Sequence, residues 1–248
     1  MGFMQDRYVG DIGDYVKLAI LRAIMPESRL GVAWWRYPNE SHNSDGRHTG
    51  YLGQPGLWRS LDPDLFDQLK DIVTLGDRRV EALQRADMLP GAIHFDEPIS
   101  VLGAPVQRAA ARDRWFSRVL SAVDGCDLVF LDPDNGLETK NFDAGARKAG
   151  KSVCLAELQA LGNHGRTLIV YHHQTRMAGG HQHELAHWGE RLKGEGFHTV
   201  DALRASAYSA RAFFLLNGTP KIRSRAEQIA TKWGERRLTW HPKLGSTV

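Results

Sequence analysis

The stretch Asp127-Leu128-Val129-Phe130-Leu131-Asp132-Pro133-Asp134-Asn135-Gly136-Leu137-Glu138 decides how the rest of the chain is read. Its first half is an unbroken apolar run, the pattern of a strand covered on both faces of a sheet. Its second half turns polar at once, and Pro133 with Asn135-Gly136 drives the chain out of the strand. Ligands of an open parallel sheet bind at the carboxyl ends of its strands. The spacing therefore sets Asp132, Asp134 and Asn135 at such an end, with Glu138 a turn further on. Two carboxylates and an amide within four residues are more than backbone capping alone requires, so they are read as a candidate site.

A second buried strand is expected over 167–171, ending in His172-His173-Gln174-Thr175-Arg176. If the two strands are neighbours, His172, His173 and Arg176 flank the same crevice as Asp132 and Asp134. Histidines at a strand end serve equally well as hydrogen-bond partners of loop carbonyls, and the pattern favours neither role. Residues 30–35 and 92–95 read as further strands, and 197–203 with 210–216 as a closely joined, hence antiparallel, pair. Between them lie helical patterns over 15–25, from Asp62-Pro63 onward, over 79–88, 105–123 and 181–194. Strands alternating with helices predict an α/β chain with a mostly parallel sheet and helices on both faces.

Composition sets wide bounds. The chain has 248 residues, 42% hydrophobic and 25% charged, enough for a full core in one large domain or two small ones. A net charge of +3 permits a nucleic-acid partner without demanding one. Only Cys126 and Cys154 are present, which points to a reducing, cytoplasmic setting. Asp6, Arg7, Asp11 and Asp14 come too early for a signal peptide, and no apolar run reaches membrane-spanning length. His183-Glu184-Leu185-Ala186-His187 matches H-E-x-x-H, yet an amphipathic helix explains it without zinc, and the expectation is that no metal sits there. The arginines at 108, 112, 114 and 118 form either a solvated helix face or a phosphate-contacting surface. Beyond residue 220, basic residues interleaved with Trp233 and Trp240 suit either nucleic acid or a packed terminal helix.

The N-terminal segment Tyr8-Val9-Gly10-Asp11-Ile12-Gly13-Asp14-Tyr15-Val16-Lys17 opens a helix that is apolar nearly all round, which makes Lys17 conspicuous. This segment resembles the N-terminal signature of the large-subunit ribosomal RNA adenine-N6 methyltransferases, with Gly10, Asp14 and Lys17 on the signature's Gly, Asp and Lys. In that family a later apolar strand ends in Asp-Pro-Pro-Tyr-Glu, similar to Leu131-Asp132-Pro133-Asp134-Asn135 here. The resemblance implies a Rossmann-like class I methyltransferase-type sheet with an antiparallel terminal strand. It further implies one methyltransferase-like domain over 1–248, with a helical insertion near 60–123. S-adenosylmethionine would be the cofactor, bordered by Tyr8, Gly10, Asp11, Asp14 and Lys17, and Asp132, Asp134 and Asn135 would be catalytic. His172, His173 and Arg176 would meet the substrate.

Two departures stand beside this. The family's Pro-Tyr is Asp134-Asn135 here, so the ring that would stack on an extruded adenine is missing from its usual place. The loop after the first strand, from Pro38 to Gly46, carries one glycine and not a glycine-rich cofactor turn. Three readings follow: a nucleic-acid methyltransferase, a divalent-metal hydrolase or nuclease using Asp132, Asp134, Glu138 and the two histidines, or a nucleic-acid-binding protein with a degenerate cofactor pocket.

Overall fold

The computed structural model describes residues 4–38 and 46–245. In chain order it runs α1 (Met4–Tyr8), α2 (Ile12–Ile24), β1 (Leu30–Ala33), α3 (Pro55–Trp58), α4 (Pro63–Leu75), α5 (Val80–Arg85), β2 (Ile93–Phe95), α6 (Pro105–Ala122) and β3 (Leu128–Leu131). It continues with β4 (Gly136–Leu137), β5 (Ser152–Val153), α7 (Leu155–Leu161), β6 (Thr167–His173), α8 (Gly180–Gly194), β7 (Val200–Ala205), β8 (Arg211–Leu216), α9 (Pro220–Trp233) and β9 (Leu238–His241). The helix ends follow local chemistry. Asp11 caps α2, Asp62 caps α4 ahead of Pro63, and Thr219 caps α9 ahead of Pro220. Gly76 ends α4 at φ 73°, the left-handed conformation that closes a helix most cheaply with glycine.

The main sheet has the strand order β2-β1-β3-β6-β8-β7-β9. The first four strands pair in parallel, with Leu131 of β3 beside Ala33 and Val170. β8 runs antiparallel to both β6 and β7, and β9 runs antiparallel to β7. The sheet is thus mostly parallel with reversed strands at one side, and its helices cover both faces, as the sequence led one to expect. Strand β2 lies inside the 60–123 region and pairs with β1, so that region contributes to the main sheet as well as supplying helices. Strand β9 was not foreseen; its residues read only as part of a basic, aromatic tail. A separate parallel pair, β4 with β5, follows directly on the Asp132 turn.

Strand alternation sorts the side chains between the two faces. Leu128 and Phe130 of β3, Ile169 of β6, and Phe213 and Leu215 of β8 pack toward α2, α4, α5 and α9. Val129 and Leu131, Leu168 and Val170, and Ala212 and Phe214 pack toward α6, α7 and α8. Each of these side chains is essentially buried, and burying a valine, leucine, isoleucine or phenylalanine stabilises the fold by about 1.5–3 kcal/mol. The same alternation determines what stands at the strand ends.

Candidate functional site

Continuing the alternation past the apolar runs puts Asp132, Tyr171 and His173 on the α2 face. Arg211, which starts β8 directly opposite His173, falls on that face too. These residues and the first turn of α2 enclose a cavity of about 240 Å³ lined also by Tyr8, Asp11, Asp14, Lys17 and His48. It lies at the carboxyl end of β3 and β6, where a parallel sheet presents its ligand site.

Lys17 is the centre of the arrangement. Its Nζ donates to Asp132 Oδ2 at 2.7 Å and to Asp14 Oδ1 at 2.8 Å, and lies 5.6 Å from the Trp34 ring centroid. Asp14 in turn accepts from the Gly10 amide at 3.2 Å, while Asp11 Oδ1 accepts from the Gly13 and Asp14 amides. Lysine does not simply reach solvent here. The residue is 7% exposed, and the charge is delivered inward between two carboxylates. Burial alone would lower its pKa, but Asp132 and Asp14 outweigh that and raise it, so the ammonium stays charged.

Two of the carboxylates are raised as well, which for an acid favours the neutral form. Burial pushes the Asp132 pKa up to about 6, opposed by Lys17 and reinforced by Asp14 and Asp134. Burial and the neighbouring Asp14 also raise Asp11, with Arg211 pulling against them. The Tyr171 phenol, taken out of water, is raised to about 12 and remains a donor at neutral pH; its oxygen is 3.3 Å from His173 Nδ1. Four carboxylates (Asp11, Asp14, Asp132, Asp134) and two permanent cations (Lys17, Arg211) line the cavity. Even with Lys151, which pairs with Asp134 at 3.3 Å, acidic groups are in excess. Such a lining favours amino groups and cationic centres over free phosphate.

Several residues grouped with this site by sequence stand elsewhere. His172 faces the opposite side of the sheet, 2% exposed, because it is one residue out of phase with Tyr171 and His173. Its Nδ1 accepts the Leu137 amide at 3.2 Å and its Nε2 is 3.2 Å from Glu184 Oε1, so it braces the Asp132 turn against α8. Gly136 sits so close to that imidazole that a Cβ would lie 2.5 Å from Nδ1. Asn135 is exposed and engages through its backbone, its amide donating to Lys151 O and its carbonyl accepting from His173 N. Arg176 is exposed on the following loop and does not line the cavity. Gly10 lies behind it, packed on Val73 at φ 79°, where a side chain has no room.

The carboxylates are not disposed to share a metal. Asp132 is held by Lys17, Asp134 by Lys151, and Glu138 by Arg191 at 2.7 Å and the Leu155 amide at 3.1 Å. Among the described residues no three His, Cys, Asp or Glu side chains gather as a cation requires. In the H-E-x-x-H segment, Glu184 turns inward to Thr175 and His172, while His183 and His187 are exposed.

The arginine face of α6 is largely consumed inside the molecule. Arg112 is buried and grips Glu157 with two 2.7 Å bonds, and Arg118 pairs with Glu97 at 2.6 Å. In the tail, Arg223 pairs with buried Asp201, and Lys221 and Arg225 pair with Glu27.

Sequence reading missed Tyr171, His48, Ser209 and Arg211 as cavity residues. For Tyr171 the signal was present, two residues from Ile169 and therefore on its face. Arg211 needed the β6–β8 register, which no local pattern supplies. Of the polar loop from Pro38 to Gly46, residues 39–45 lie outside the described residues. No helix among the described residues is long and apolar enough to cross a membrane. No protein-family model and no curated protein matches the chain.

Proposed function

We propose that the chain is a methyltransferase-like enzyme acting on nucleic acid, with an adenine amino group as acceptor and S-adenosylmethionine as cofactor. One observation carries the reading. The two segments that resemble the rRNA adenine-N6 methyltransferases are far apart in sequence, yet they meet through the 2.7 Å contact between Lys17 and Asp132. They meet in a cavity at the carboxyl end of parallel strands, beside a reversed strand of the kind typical of methyltransferase-like folds.

The residues present suit the chemistry. S-adenosylmethionine, when bound, supplies an electrophilic methyl group on a positively charged sulfur, and the acid-rich lining suits that charge. Tyr8, Asp11, Asp14 and Lys17 would border it. A volume of about 240 Å³, below the roughly 300–1,000 Å³ of most small-molecule pockets, suits the place where the methyl group and the acceptor base would meet, the rest of the cofactor lying outside it. Asp132, ionised above pH about 6, would accept a hydrogen bond from the amino group and orient the nitrogen lone pair. Lys17 holds that carboxylate in place and ionised. The donor set argues less well for the hydrolase reading, since each candidate carboxylate already carries a cation and His172 is turned to the other face of the sheet.

Thermal-shift titration with S-adenosylmethionine, S-adenosylhomocysteine, magnesium, manganese and zinc in parallel separates the readings. Saturable stabilisation by the two adenosyl ligands, lost in Asp14→Ala and kept in Asp132→Asn, is expected. Stabilisation by a metal ion alone would transfer the site to the hydrolase reading.

A further inference from the structure

Tyr208 is the least comfortable large side chain on the surface. It is 54% exposed on the loop between β7 and β8, and its φ is +63°. That backbone region is rare for a bulky residue and costs conformational energy. The strain is built in. The Ser209 amide donates to Ala207 O at 2.8 Å, closing a three-residue γ-turn with Tyr208 at its apex. Arg211 braces both sides of that apex, its Nη1 donating to Ala207 O at 3.0 Å and Ser209 O at 3.5 Å. Ser206 fixes the other end of the loop to Arg236 and Arg237. Among the described residues Tyr208 belongs to neither hydrophobic core cluster, so core packing does not reward this display.

Its neighbour gives the direction. The Tyr208 and His48 rings lie 5.1 Å apart at 33°, a tilted stack between two exposed residues. His48 lines the Asp132 cavity, as do Ser209 and Arg211 from the tyrosine's own loop. The His48 carbonyl accepts the Ile12 amide at 3.0 Å, which ties its segment to the start of α2. An aromatic pair therefore stands at the cavity mouth, held by the same elements that build the cavity. The Asp132-Pro133-Asp134-Asn135 turn itself offers no ring.

We propose that Tyr208 and His48 form a stacking platform for a nucleobase of single-stranded nucleic acid, supplying from other parts of the chain the ring that the Asp132 turn lacks. The proposal rests on the methyltransferase reading for the identity of the base presented to Asp132, an adenine. A base stacked within a duplex has no free face to offer the platform, whereas an unpaired or extruded base does. Every base has a π-face, so the platform contributes affinity and the cavity contributes the choice of base. Tyr208 is then a positioning residue outside the reacting atoms.

The test uses the full chain and a short single-stranded RNA whose one base is 8-vinyladenine, a fluorescent adenine that keeps the 6-amino group, all other positions being abasic, with the fully abasic oligomer as control. Wild type is expected to quench the vinyladenine on binding, and Tyr208→Phe to do the same. Tyr208→Ala should lose quenching and bind roughly five- to a hundredfold more weakly, the range for one base on an aromatic ring. Against the abasic oligomer, wild type and Tyr208→Ala should bind alike. Tyr208→Gly, which relaxes the positive φ, should melt no lower than wild type yet fail to quench, which separates a binding role from a folding one. Equal affinity and quenching in wild type and Tyr208→Ala, or no quenching by wild type, would overturn the platform. A parallel S-adenosylmethionine titration keeps the two claims apart. Cofactor binding without Tyr208-dependent quenching sinks only the platform, and Tyr208-dependent quenching without cofactor binding sinks only the methyltransferase.

Discussion

At the scale of the residue, Asp132 carries the account. Its folded pKa of about 6 stands above the roughly 3.9 of a free aspartate. The native state therefore holds a proton that the unfolded state has released between those values. The stabilisation this gives is complete below pH about 4 and gone once pH has risen through about 6. At pH 7.5 the ionised side chain is buried at a cost, and a neutral isostere carries no such cost. Asparagine sheds that cost but leaves the buried Lys17 ammonium with Asp14 alone, so Asp132→Asn should lose some stability at pH 7.5, less than the roughly 3–5 kcal/mol of a wholly broken buried pair, while losing methyl transfer; a calorimetric scan showing no folded state would contradict this. Binding or turnover in wild type should fall as pH drops below about 6. In Lys17→Met the acidic limb should move upward, because the charge that opposes burial is gone. A pH profile with an unmoved limb would show that Asp132 is not the group responsible. The histidine pair shows what a residue-level reading gains from geometry. His172 and His173 look equivalent in sequence, but the two-residue period of a strand sends only His173 to the face of Ile169 and Tyr171. That distinction follows from the spacing of the two residues alone.

At the scale of elements, most strands and helices were legible because their signals are local. Asp62-Pro63 announces α4, Pro105 announces α6, and the apolar runs at 128–131 and 167–171 give β3 and β6. The short β4–β5 pair was not, since a two-residue strand leaves no periodic trace. Arg112, on the buried side of α6, reaches Ala149 O and Ser152 O as well as Glu157, and so fastens the segment that carries β5. This guanidinium holds the segment whose Lys151 pairs with Asp134. It was read as one of four arginines on an exposed helix face; only its burial reveals the role. Removing one partner of a buried ion pair typically costs about 3–5 kcal/mol. Arg112→Ala should lose stability of that order in urea unfolding, and should weaken ligand binding through the displaced Asp134. A loss below about 1 kcal/mol, the scale of an exposed pair, would show the cluster to be incidental.

At the scale of the whole molecule, the class of fold was readable from the alternation of strands and helices, whereas the assembled cavity was not. Its wall comes from α1 and α2, the ends of β3 and β6, the segment around His48 and the start of β8. Of these only α2 and the ends of β3 and β6 announced themselves, because His48 and Arg211 acquire meaning through pairings across long sequence separations. Charge behaves similarly. The basic tail looks free in sequence, yet Arg223 and Arg225 are spent on Asp201 and Glu27, which fasten α9 to the body of the protein. A nucleic-acid partner, on this view, is engaged near the cavity mouth more than along a continuous basic stripe. The most direct test of the account is transfer of a labelled methyl group from S-adenosylmethionine to single-stranded adenine-containing RNA and DNA, with the modified base identified after digestion. The account predicts label on the adenine amino nitrogen with wild type and none with Asp132→Asn at equal folded concentration. Label at another position, equal transfer by Asp132→Asn, or strand cleavage dependent on a divalent metal in place of transfer would contradict it.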